Sequence, residues 1–263
     1  MPRPVTDAFF HQDGDWLVAS ELTRGPWDPG SQHAGPPSAL VARAIERVGE
    51  PDGLQVGRIT LEIMRPVPIG RLRTEARIVR PGRSVELIEA TLSDDEGVLI
   101  RALAWRIRTR AVELDPPPPA EDPPPGPAEG KEEPFFDTGQ DVGYHTAMDY
   151  KFIHGAFVEP GPAMVWMRMR QPLVAGEETT PLQRVLVAGD SGNGVSAALD
   201  PLRYLFINTD LSVHLLRMPE GEWVCLDART FPEPNGVGLA DTALYDERGR
   251  IGRAAQTLLV RAR

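Results

Sequence analysis

One cysteine, Cys225, stands in the 263 residues. That excludes an internal disulfide and fits a reducing compartment. No run of 18 consecutive apolar residues occurs, and the start, MPRPVTDAFFHQDGDW, has no apolar signal-type stretch. Neither export nor a membrane-spanning helix is indicated, so the expectation is a soluble cytoplasmic protein. Positive charge is also in deficit, with 28 Lys and Arg against 38 Asp and Glu and a net charge of -10. This argues against nucleic acid and anionic membrane surfaces as partners, because both want Lys/Arg clusters. It leaves room for a phosphorylated ligand held by a few local arginines. No glycine-rich phosphate loop follows a strand, so no nucleotide cofactor is implied. The five histidines are not spaced with acids or cysteine as metal ligands, so no metal is expected.

Hydrophobic residues at 41% and charged residues at 25% allow a sizeable core, in one large domain or two of about 130 residues. Residues 7–28 read as strand material turning at Asp13-Gly14-Asp15, with Trp16 to Leu22 the better strand. Pro36 and Pro37 then open a helix with Leu40, Val41, Ala44, Ile45 and Val48 on one face, and Gly49 stands at its C-terminal end. Leu61 and Ile63, Arg71 to Arg80, Val85 to Leu92 and Val98 to Ile107 predict a meander of long antiparallel strands. Residues 113–134 change composition completely, with nine prolines and seven acids in 22 positions. Such a segment cannot bury enough surface to fold and reads as a solvated linker.

Beyond it the order repeats. Strands at MDYKFIHGAF and AMVWMRMRQPL lead to a helix over PLQRVLVAGDSGNGVSAAL, a turn at Asp200-Pro201, and strands at INTDLSVHLLR, EWVCLDARTF, GLADTALYD and IGRAAQTLLVRAR. Gly70 and Gly221 lie 151 apart, Gly97 and Gly249 152 apart. A strand–helix–strand–strand–strand order at constant offset means two copies of one α+β unit.

A long helix wrapped by an antiparallel sheet and duplicated in one chain resembles the double-hotdog fold. The second-half motifs are similar to those of the acyl-CoA thioesterase II family and its thioesterase-like relatives. The resemblance implies tandem hotdog units over 1–112 and 135–263, joined by 113–134, with the site in the second unit. It implies hydrolysis of acyl-CoA to free acid and CoA, with no cofactor, acyl-CoA as the small-molecule partner, and homo-oligomers left open. In that family an Asp on the second-half helix, a Thr or similar residue starting the next strand, and a Gln on the last strand hold and activate a water. Asp190 matches the first and Gln256 the last. The strand motif matches Ile207-Asn208-Thr209-Asp210-Leu211-Ser212 with Arg217. Here Asn208 replaces the family's Thr, and Leu211 replaces its His.

Read from the residues alone, each position keeps an alternative. Asp190 is either a costly interior residue of the helix or the cap of a helix beginning there. Gly189, Gly192 and Gly194 cost about 1 kcal/mol each against Ala in a helix, which suggests close approach of a ligand or of the sheet. Gly189 and Gly192 are therefore substrate-binding candidates, and a backbone N–H near them would serve as an oxyanion donor. Gln256 shares a face with Ala254, Leu258 and Val260, as a site residue or as a core amide bonded to backbone. Its first-half equivalent is Ala104, so only the second half keeps the polar group. Motif alignment favours Asn208 for the site, whereas alternation puts Thr209 with Leu211 and Val213 on the apolar face. Arg217 repeats Arg65, which points to a shared structural role. Gly189-Asp190-Ser191-Gly192 looks like a serine-protease nucleophile segment, but no histidine sits in a partner motif. Two further functions stay open on the same fold. One is enoyl-thioester hydration or dehydration, which needs a histidine beside the carboxylate, and none lies near Asp190 in sequence. The other is non-catalytic acyl-CoA binding.

Overall fold

The computed structural model describes residues 7–49, 52–117, 121–200 and 203–263. In the first half, β1 (Phe10–Asp13) and β2 (Trp16–Ala19) precede helix α1 (Gly35–Arg47). The long strands β3 (Leu54–Ile63), β4 (Arg71–Arg80), β5 (Val85–Asp94) and β6 (Gly97–Arg108) follow. The second half holds α2 (Tyr144–Ala147), β7 (Met148–Ala156), β8 (Glu159–Met169), α3 (Pro181–Gly189) and α4 (Gly192–Val195). It closes with β9 (Tyr204–Asn208), β10 (Asp210–Leu215), β11 (Val224–Pro232), β12 (Val237–Asp246) and β13 (Gly249–Ala262). The expected strand from Trp16 to Leu22 ends at Ala19, because Ser20 caps a single helical turn over Glu21–Thr23.

All thirteen strands join in one sheet, ordered β1-β2-β4-β5-β6-β3-β10-β13-β12-β11-β8-β7, with β9 added on β13. The order is a palindrome about the β3–β10 pair. In that antiparallel pair Ser212 faces Thr60, 152 residues away, and its hydroxyl donates to Thr60 Oγ1 at 3.3 Å. The offset read from the glycines is thus a pseudo-twofold axis through those two residues. Both halves also share one ion pair. Arg65 holds Asp94 (2.8 Å) and the carbonyl of Gly97 (3.3 Å), and Arg217 holds Asp246 and the carbonyl of Gly249 (3.2 Å). Gly97 and Gly249 have φ of 129° and 122°, values that favour glycine at these hairpin turns.

Alternation shapes the strands. On β5, Glu86, Ile88, Ala90 and Leu92 are buried while their neighbours are not, as a half-covered strand requires. Against this concave face lie α1 and α3, packed on each other. Gly35 permits the contact, since a Cβ there would collide with the carbonyl oxygen of Val187. Helix α1 is the predicted one, with Leu40, Val41 and Ile45 fully buried and Gly49 at φ 70° just past its cap.

The second half departs from expectation. The helix predicted from 181 to 199 ends at Gly189, turns at Asp190 and Ser191, and resumes only for Gly192–Val195. Pro201, half of the expected turn at Asp200-Pro201, lies outside the described residues. The Pro/acid-rich segment is also more engaged than a solvated linker. Its residues 118–120 lie outside the description, but Pro125 offers its carbonyl to Trp166 Nε1 at 2.7 Å. Lys131 and Phe152 exchange two backbone hydrogen bonds of 2.8 and 2.7 Å. Proline removes N–H donors but leaves carbonyl acceptors, so the segment can be pinned without a core of its own.

Candidate active site

Asp190 sits where α3 stops. It is the C-cap residue of that helix, with helical φ and ψ of -70° and -13°, so it is neither an interior position nor the cap of a helix beginning there. The turn aims its carboxyl across the interface at the start of α1. Backbone N–H groups of Ala34 and Gly35 stand beside it and favour its ionised form, as the N-terminal end of a helix favours an anion. His33 Nδ1 lies 3.2 Å from Asp190 Oδ2. The other oxygen, Oδ1, accepts from Asn208 Nδ2 at 2.8 Å and Gln256 Nε2 at 3.2 Å. Both halves therefore build the site.

Gln256 is committed on every side. Its Nε2 also donates to the Asp190 carbonyl at 3.0 Å, and its Oε1 accepts from Asn193 N–H at 3.1 Å. It holds the turn and its carboxylate in place, which fits the need of a buried amide for partners. Asn208 spends its amide hydrogens on Asp190 and on the Asp210 carbonyl (3.2 Å), leaving its Oδ1 as the open acceptor. Gly192 backs against the sheet. A Cβ there would come within 2.5 Å of Thr242 Oγ1 and 3.1 Å of Gln256 Oε1. A Cβ on Gly189 would meet nothing within 4 Å, so close approach explains the first glycine and not the second. The backbone N–H groups of Ser191, Asn193, Gly194, Val195 and Ser196 are all taken by internal acceptors. Gly192 itself packs on Thr242 and Gln256 and is not among the residues lining the cleft or the chamber.

A β-bulge decides between Asn208 and Thr209. Asn208 pairs with Leu258, and Ser212 pairs with Ala255. Four steps on one strand thus oppose three on the other, and the extra residue breaks the alternation. Phe206 and Asn208 face inward before the break, and Leu211 and Val213 after it, while Thr209 is exposed. Thr209 only borders the cleft, with its hydroxyl 3.4 Å from the Thr257 carbonyl.

Burial pushes the Asp190 carboxyl up to about 7, against the opposing pull of Asn208, Gln256 and the two backbone N–H groups. Burial pushes His33 down to about 3, so its ring is neutral at pH 7. Its Nδ1 lies between the Gly35 N–H at 3.1 Å and Asp190 Oδ2 at 3.2 Å. Tyr144 stacks on His33 with centroids 3.8 Å apart and planes 7° apart, and its hydroxyl meets Ser191 Oγ at 3.0 Å. His33 and Tyr144 escaped the sequence reading because they lie 157 and 46 positions from Asp190. Only the PP-opened helix after His33 hinted at an anion-binding end.

Asp190 and Asn208 face a cleft of about 470 Å³ whose other walls include Trp27, Gln32, Pro66 and Ile207. Past His33 and Asn193 the cleft meets a narrow, mostly aromatic chamber of about 40 Å³, walled by Trp27, Phe135, Phe136, Tyr150 and Phe157. A positioned base, an open water acceptor and an apolar chamber in series suit attack of water on an acyl carbonyl.

Two family models match the chain in succession, the acyl-CoA thioesterase N-terminal domain over residues 23–107 and the acyl-CoA thioesterase C-terminal domain over 118–260. Among solved structures, a candidate thioesterase II of Thermobifida fusca YX is similar at 17% identity and a TM-score of 0.74, covering 98% of this chain and 96% of that one. A hot dog fold protein of unknown function from Alicyclobacillus acidocaldarius is similar at 17% identity and 0.72, covering 98% and 97%. An acyl-CoA thioesterase II of Mycobacterium marinum is similar at 13% identity and 0.64, covering 96% and 94%. At these identities the structural likeness establishes the hotdog fold. No curated protein sequence matches the chain.

Proposed function

The chain belongs to the acyl-CoA thioesterase family, and from that premise we propose that it hydrolyses acyl-CoA to free acid and CoA with a water activated by Asp190. The observation that carries the reading is a buried carboxyl raised to about 7 at the mouth of an apolar chamber. A base whose pKa lies near the working pH is both ionised and able to take a proton. The water donates one hydrogen to Asp190 Oδ2 and the other to Asn208 Oδ1, and its oxygen attacks the thioester carbonyl. Asp190 takes the proton as the tetrahedral oxyanion forms. The carbon–sulfur bond then breaks, and the proton passes to the departing thiolate. Gln256 acts as a positioning residue. The same reading takes 1–112 and 135–263 as the two hotdog units in a cytoplasmic protein that works without a cofactor.

No acyl-enzyme enters this scheme. The Ser191 hydroxyl is engaged by Tyr144, and the single thiol, Cys225, is buried on β11 with its pKa pushed up by that burial. Release of free thiol from a panel of acyl-CoAs is expected for the wild type and about 10²- to 10⁴-fold less for Asp190→Ala. Equal rates for the two proteins would sink the assignment. The His33–Asp190 contact favours a second reading, hydration of an enoyl thioester, since it brings a histidine to the carboxylate. Loss of crotonyl-CoA absorbance without thiol release would select it.

A further inference from the structure

We infer that the acyl group enters the aromatic chamber, that the chamber restricts it to short chains of about five carbons or fewer, and that Phe136 is the wall setting this limit. The inference rests on the thioester-hydrolysis reading and adds its substrate class.

The cleft bearing Asp190 and the chamber share Trp27, His33 and Asn193. A thioester whose carbonyl lies at Asp190 therefore points its acyl chain past those residues into the chamber. The chamber offers about 40 Å³. At about 10–15 Å³ for each water-sized sphere, it takes three or four non-hydrogen atoms beyond the carbonyl carbon. A butyryl chain fills it.

Longer chains meet a barrier with space behind it. A second cleft of about 660 Å³ adjoins the chamber and shares Trp27, Phe136, Phe157 and Ala197 with it. Phe136 stands in the shared wall, 6.0 Å from the Trp27 ring and 4.5 Å from Phe135, which itself packs 4.4 Å from Phe157. These stacked rings occupy the path that a longer chain would need. The wall is anchored as well. Phe135 and Phe136 follow directly on the Pro/acid-rich segment that Trp166 and Phe152 pin to β8 and β7. The segment joining the two halves thereby supplies a wall of the acyl site. Removing the Phe136 ring would open the chamber into the outer cleft.

The test is kcat/KM by thiol release for acetyl-, butyryl-, hexanoyl-, octanoyl- and dodecanoyl-CoA. The wild type should peak at butyryl or shorter and fall about tenfold or more by octanoyl. Phe136→Ala should raise the octanoyl-to-butyryl ratio about tenfold, and Phe136→Leu should shift it less in the same direction while keeping an apolar side chain should the alanine variant misfold. Preference of the wild type for octanoyl or dodecanoyl would overturn the inference and leave thioester hydrolysis standing. An unchanged ratio in both variants would overturn the role of Phe136. Absence of turnover at every length would bring down the hydrolysis reading, and this inference with it.

Discussion

The two halves share a frame and differ in chemistry. Each has an arginine on a hairpin aspartate, Arg65 on Asp94 and Arg217 on Asp246, and the strand order mirrors itself about β3–β10. On the last long strand, however, the first half buries Ala104 and the second buries Gln256. The first-half helix runs unbroken for 13 residues, whereas its counterpart stops after nine to deliver Asp190. What the first half contributes is the start of its helix, which receives that carboxyl at His33, Ala34 and Gly35. Gln256 finds its partners, Asp190 and Asn193, within its own half, whereas Asp190 draws on both halves. Groups from both halves thus meet at the Asp190 carboxyl.

The largest test of this asymmetry is Asp190→Asn. It keeps the shape and the amide partners but removes the base, so kcat should fall about 10²- to 10⁴-fold with little change in KM. In the wild type, log kcat should rise with pH through about 7 and level off above it, following ionisation of Asp190. Stability should run the other way. A carboxyl raised from 3.8 to about 7 on folding favours the folded state fully at acid pH and loses that contribution as pH rises through 7. Asp190→Asn should therefore unfold at higher temperature than wild type at pH 8.5, approximately, and lose that advantage near pH 5. A flat rate profile between pH 5 and 9, on the order of one assay series, would break the proposed role.

Next in size comes the exchange between copies. Gln256→Ala makes the second half resemble the first. It should cost about 1–3 kcal/mol by orphaning the Asn193 N–H, and lower kcat about ten- to hundredfold as Asp190 loses one orienting amide. Ala104→Gln, the reverse change, should destabilise by about 1–3 kcal/mol and confer nothing, since no turn stands opposite to receive the amide. Denaturant melts alongside CoA release separate the two outcomes.

The shared ion pair should respond unequally. Asp246 is 0% exposed and Asp94 13%. Arg217→Ala, which strands a buried carboxylate, should cost about 2–4 kcal/mol, against about 1 kcal/mol or less for Arg65→Ala. Equal losses in chemical denaturation would show that burial does not distinguish the copies. The smallest effect is expected for Asn208→Thr, which restores the residue of the resembling family. A single hydroxyl can serve Asp190 or the Asp210 carbonyl but not both, so activity should drop about tenfold or less.

Much of the sheet was legible because its signal is local. The predicted Arg71 to Arg80 strand is β4, and β5 and β6 extend the predicted bounds by only a few residues. The errors fall where a local pattern is interrupted by a distant partner. Periodicity carried the second helix through Asp190, but Gln256 takes the Asp190 carbonyl and the Asn193 N–H, ending the helical ladder there. Alternation placed Thr209 inward, but one extra residue against β13 reversed the parity at Asn208.

Some properties of this molecule follow from residue types and spacing alone. The glycine pairs 151 and 152 apart, the strand periodicity, and the choice of Asp190 and Gln256 as polar exceptions on apolar elements all depend on near neighbours along the chain. The histidine beside Asp190, the bulge that turns Asn208 inward, and the rings that wall the aromatic chamber depend on contacts between residues far apart in sequence. The histidine contact crosses the junction where α1 packs on α3, and the bulge arises where β9 and β10 both pair with β13. Burial at that junction raises Asp190, and no stretch of chain contains the junction.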